Sequence, residues 1–153
     1  MKKTILLFIT LFSLQAFAQE SKQYDKIGRF SKGLAIVWRA GHCGIITQGG
    51  KELVKPEYDK IGTFGNDGLA YTTKEGKVGL MNMEGKVVVP NIYESIGRFN
   101  GYYAITRKNG LAGMINKQGK ILIANEYENI KVGRNGEVRG VKDGRETLME
   151  LKN

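Results

Sequence analysis

Four near-copies of one pentapeptide constrain this chain more than any other feature. YDKIG stands at residues 24–28 and again at 58–62, YESIG follows at 93–97 and YENIK at 127–131, each 34 or 35 residues after the last. Recurrence at such a period marks a repeat array, in which each supersecondary unit buries its apolar face against its neighbour. The repeats run over about 24–57, 58–92 and 93–126, with a partial fourth at 127–153.

The glycines keep the same period. Gly41, Gly76, Gly110 and Gly144 form one series; Gly50, Gly85 and Gly119 each fall nine residues after a member of it. Asn109-Gly110 and Asp143-Gly144 are tight-hairpin dipeptides, because both residues of such a turn need positive φ. Short apolar runs lie between the turns: LAIVW, LAYTT and YAITR, then CGIIT, VGLMN and AGMIN, then ELV, VVV and ILI. Turns nine residues apart leave strands of about five to seven residues. The chain therefore reads as all-β, a tandem array of three-stranded antiparallel meanders in an open, twisted, solenoid-like arrangement, with a small propeller-like closure as the alternative. Pro56 and Pro90 are expected to end strands just before the connectors.

Gly44, Gly79 and Gly113 sit within the middle strands, where glycine weakens a sheet. The recurring aromatics Tyr24 and Phe30, Tyr58 and Phe64, and Tyr93 and Phe99 are candidates to cover them, and Tyr127 repeats the Tyr position in the fourth copy. In the fourth copy Glu146 and Thr147 replace Cys43 and Gly44. A polar last unit is how arrays cap an exposed end.

The first eighteen residues stand apart. Lys2 and Lys3 precede the apolar run ILLFITLFSL, and Ala16-Phe17-Ala18 offers a small-residue cleavage site. This is the layout of a signal peptide, too short to span a membrane. Residues 1–18 are thus a predicted leader, the mature chain a single domain over 19–153, periplasmic or secreted, with no transmembrane segment. Cys43 is the one cysteine, so no internal disulfide can form.

The repeat unit resembles the bacterial WG repeat: Y-[DE]-x-I, a Phe, an apolar strand, a Gly turn, x-G-apolar-apolar, a Gly-Lys turn, and a further strand before the next Tyr. The second copy is the most similar, with YDKIG, GLA, EGKVGLMNMEGK and VVVP. The namesake Trp is replaced by Cys43, Val78 and Ala112; the sole Trp, Trp38, stands in a first strand. The resemblance implies a β-rich repeat protein, often of the bacterial envelope, that binds partners and is not an enzyme.

The residues agree with that. His42 and Cys43 are neighbours on an expected strand, so their side chains diverge and cannot form a nucleophile pair. One His and one Cys cannot supply a zinc site. No cofactor is expected. The acids after each Tyr (Asp25, Asp59, Glu94 and Glu128) read as turn residues.

Net charge is +9, and +7 without Lys2 and Lys3. The positive charges are scattered, and export argues against a nucleic-acid partner. Lys51, Lys86 and Lys120 each follow a turn glycine and form a candidate ladder for an anionic partner; the same lysines would also protect sheet edges. The copies differ most at Trp38, Arg39 and His42, and at Tyr102 and Tyr103, which makes these a candidate contact surface. The expected role is an exported, monomeric binding module for a protein or an envelope polymer such as an acidic glycan. The alternative is an accessory or hydrolytic protein acting on an anionic envelope polysaccharide.

Overall fold

The computed structural model describes residues 24–151. The expected leader at 1–18 and its cleavage before Gln19 lie outside the described residues, as do 152–153. The described residues form strands and no helix. The first sheet joins β1 (Lys26–Ile27), β2 (Leu34–Arg39), β3 (His42–Thr47) and β4 (Glu52–Tyr58) in chain order. The second joins β5 (Lys60–Ile61), β6 (Leu69–Lys74), β7 (Lys77–Asn82) and β8 (Val87–Tyr93). The third joins β9 (Ser95–Ile96), β10 (Tyr103–Lys108), β11 (Leu111–Asn116) and β12 (Ile121–Tyr127). The last has three strands, β13 (Asn129–Val132), β14 (Val138–Lys142) and β15 (Arg145–Met149). All pairings are antiparallel, and none of the sheets closes into a barrel, as an open repeat array requires.

Each full unit therefore has four strands, one more than the meander read from sequence. The fourth is the middle of the recurring pentapeptide. Asp59 N–H donates to Thr73 O and Gly62 N–H to Tyr71 O, both at 2.8 Å, so the motif extends the ladder of β6. Gly28, Glu94 and Gly97 make the equivalent bonds in the other units. A two-residue strand is too short to show a period of two. The motif is thus a joint: Tyr58, Tyr93 and Tyr127 end one sheet, and two residues later the next begins. The chain divides at the first of these into two compact units, one ending at Tyr58 and one starting at Asp59.

The prolines do not end strands as expected. Pro56 lies inside β4 and Pro90 inside β8. Both are edge strands with an irregular register, where a missing N–H costs no ladder bond. In β4 the pairing passes from Cys43↔Tyr58 to Ile45↔Val54, so three residues arch over Gly44. The arch explains the bare glycine. A Cβ on Gly44 would lie 2.5 Å from Val54 O, and on Gly79 2.5 Å from Val89 O. On Gly113 it would meet Ile123 O and the Asn125 side chain, each at 2.8 Å. Backbone of the meander's third strand (β4, β8 or β12), not the expected aromatic ring, covers these glycines. An aromatic does cover glycine elsewhere: Tyr127 lies against Gly140, and Trp38 against Gly28.

The hairpin turns follow the sequence reading. Ala40-Gly41, Glu75-Gly76, Asn109-Gly110 and Asp143-Gly144 all have φ between 50 and 81°. The recurring acid caps each turn, with Asp25 Oδ2 accepting from Ala40 N–H at 2.7 Å and Asp59 Oδ2 from Gly76 N–H at 3.1 Å. Glu94 and Glu128 do the same for Gly110 and Gly144.

In the first unit Ala35, Val37 and Ile46 pack with Tyr24, whose hydroxyl donates to Glu52 at 2.8 Å. In the second unit the sheets bury their facing sides. Leu80 and Val89 of the second sheet meet Ile96, Ala104 and Ile115 of the third. Met114 and Ile123, on the third sheet's other side, meet Ile130 and Val138 of the last. Four of the five residues of β15 are exposed.

Candidate functional site

The second and third sheets share a groove of about 610 Å³. Leu69 and Tyr71 alternate on β6, so they stand on one face, and Leu80 is opposite Tyr71 on β7. These three and Phe99 form the apolar floor. The loop 65–68 brings Asn66 and Asp67 to the rim, the segment after β9 brings Arg98, and the β11–β12 turn brings Lys117.

The polar groups are fixed from several directions. Tyr71 spans the groove, its hydroxyl donating to Gly97 O of the third sheet at 2.8 Å. Burial raises its pKa, the Asp67 charge adds to this and Arg98 opposes it, so the hydroxyl keeps its proton at neutral pH. Asp67 pairs with Lys117 at 3.0 Å across the two sheets. The hydrogen bond from Lys117 is the main cause holding the Asp67 carboxyl below its ordinary range. Asp67 Oδ1 also accepts from Leu69 N–H at 3.3 Å, which closes the loop. The same turn recurs at 133–137, where Asn135 takes the Asp67 position and accepts from Glu137 N–H. Lys117 Nζ stands 5.8 Å from the Phe99 ring centroid. Arg98 is exposed and has no carboxylate partner among the described residues.

These groove residues were not singled out from the sequence, apart from Phe99 as a repeat aromatic. The available signal was the period. The second copy is one residue longer because GNDG stands between Phe64 and Leu69, against SKG in the first copy and NGY in the third. That insertion carries Asp67.

The residues expected to form contacts have other surroundings. Trp38, Arg39 and His42 belong to the β2–β3 hairpin of the first unit. Lys26 Nζ stands 4.9 Å from the Trp38 ring centroid, and Arg39 lies 5.8 Å from that of Tyr24. His42 is exposed, whereas Cys43 beside it is buried between Trp38 and Tyr58 in the register. Tyr102 and Tyr103 belong to the second unit and meet edge to face at 5.6 Å. Tyr102 is 51% exposed, while Tyr103 packs on the core beneath the last sheet. Lys51, Lys86 and Lys120 are exposed, and their backbone N–H groups bond Thr47, Asn82 and Asn116 side chains in the turns. Among the described residues no three His, Cys, Asp or Glu side chains gather as metal ligands would.

The WG containing repeat matches residues 21–37, 44–77, 79–111 and 113–136, more than half of the chain. The chain belongs to the WG repeat family. Three of the four matched segments start at Gly44, Gly79 and Gly113, the glycines under the third-strand arches. The family is one of β-structured repeat proteins and is not known for enzymes. No curated protein and no solved structure shows significant similarity to the chain.

Proposed function

We propose that this WG repeat protein is an exported, non-enzymatic binding module of the cell envelope and that the groove between its second and third sheets holds the partner. One observation carries the reading: three residues that line the groove stand where the copies differ. Tyr71 stands where the other full copies have Ile36 and Ile105, Lys117 where they have Gln48 and Met83, and Asp67 on the inserted residue. Structural repeats need like residues, whereas recognition needs unlike ones converging. The lining supports binding over hydrolysis. It holds one carboxylate, Asp67, bound to Lys117, whereas two-carboxylate glycoside hydrolysis uses a pair about 5–10 Å apart.

The leader at 1–18 is the basis for export, and N-terminal sequencing of the protein from its host should begin at Gln19. The test of binding is affinity capture from the host's own envelope extract with the full chain, an unrelated basic protein of equal charge serving as control. A partner retained by the chain and lost in Tyr71→Ala supports the reading; retention equal to the basic control defeats it. The lysine ladder is a separate element. Reversing Lys51, Lys86 and Lys120 to Glu should weaken capture of an anionic partner, and unchanged capture leaves these lysines as edge protection.

A further inference from the structure

We infer that the groove recognises an acidic saccharide, one sugar ring lying against Tyr71 and Phe99 with its carboxylate on Arg98. The inference rests on the binding reading above and names the ligand class of that same groove. Its volume of about 610 Å³ is in the range of small-ligand sites. The floor of Leu69, Leu80, Tyr71 and Phe99 suits the apolar face of a pyranose ring. The rim alternates acceptor and donor: the Asp67 carboxylate, the Asn66 amide, the Thr63 hydroxyl and the Arg98 guanidinium. Sugar hydroxyls both donate and accept, so they can use all of these.

The charges choose among anions. Lys117 is engaged by Asp67, which leaves Arg98 as the groove cation without a carboxylate partner among the described residues. A guanidinium takes a carboxylate through two parallel hydrogen bonds. An acidic peptide would bring further carboxylates towards Asp67, which stays ionised because Lys117 holds its pKa down. A uronic acid brings one carboxylate per ring, together with hydroxyl donors that Asp67 can accept.

The test is calorimetric titration of the full chain with hexagalacturonate, its fully methyl-esterified form and a glutamate oligomer of equal charge, at 0.15 M salt. Hexagalacturonate should bind, and the ester should bind about tenfold more weakly or worse. Arg98→Ala should cost a similar factor at an unchanged melting temperature, because Arg98 is exposed. Tyr71→Phe, which keeps the ring, should bind within about threefold of wild type if the ring supplies the contact. Equal or tighter binding of the glutamate oligomer overturns the saccharide assignment yet leaves the binding reading standing. Hexagalacturonate binding that is absent, or unchanged in Arg98→Ala, overturns the assignment to this groove. Failure of the broader reading is seen separately, in envelope capture no better than the basic control.

Discussion

The first sheet and the two four-stranded sheets after it solve one packing problem with different side chains. In all three a third-strand arch passes over a bare glycine: Gly44, Gly79 or Gly113. In the later two, the glycine's neighbours across the sheet are Thr72 with Asn91 and Thr106 with Asn125. Asn91 Nδ2 lies within 3.0–3.1 Å of Thr72 O, Thr72 Oγ1 and Lys77 O. Asn125 repeats this with Thr106 and Leu111 at 3.0–3.2 Å. The first sheet has Val37 and Pro56 at these places, Val37 being fully buried. Both positions changed together, from a hydrogen-bonded pair to an apolar one. The arch belongs to the fold, and the pair beside it is exchangeable as a pair.

The largest expected effect breaks the arch itself. Gly79→Val must displace Val89 O and should cost about 3 kcal/mol or more in a urea titration. An unchanged midpoint would show that the strand moves away freely. Next come the single halves of the pair. Thr72→Val or Asn91→Pro leaves partly buried polar groups without their partners and should cost about 1–3 kcal/mol each. The double change Thr72→Val with Asn91→Pro copies the first sheet and should cost less than the singles' sum, a coupling on the order of 1 kcal/mol. Strict additivity would mean that the two positions do not communicate.

A smaller effect concerns the turns. Ala40 holds φ 50°, where the third copy uses Asn109. Ala40→Asn should stabilise the first unit by about 0.5–1 kcal/mol, read from the melting temperature, because Asn tolerates the left-handed region better than Ala.

The smallest is the Asp67–Lys117 pair, whose Lys is replaced by Gln48 in the first copy. Asp67 has a folded pKa below its unfolded value of about 3.9, so the pair stabilises the fold above that pH, and this is lost as pH falls through the folded value. Both side chains are about a third exposed, so the contribution is at most about 1 kcal/mol. Lys117→Gln should lower the urea midpoint slightly at pH 7 and leave it equal to wild type near pH 2.

Much of the fold was legible in the sequence because it rests on local chemistry. Period, turns and strand order follow from glycines that need positive φ and from alternating apolar residues. Two features were not. The two-residue strand that opens each four-stranded sheet is too short to carry a pattern, and Pro56 and Pro90 looked like strand ends because an arch in an edge strand has no sequence period. The site was less legible. Its one signal, the inserted residue before Leu69, shows a longer loop but not what the loop faces.

By itself, the sequence determined the repeat, the all-β architecture, the hairpin turns and the family. Those depend on residues within one period, whose φ preferences and burial pattern act over a few positions. Only the tertiary structure decided what covers the middle-strand glycines and that Asp67, Tyr71, Arg98 and Lys117 line one groove. Asp67 and Lys117 are fifty residues apart and belong to different copies. Two sheets had to pack face to face, burying Leu80 against Ile115, before those side chains could meet.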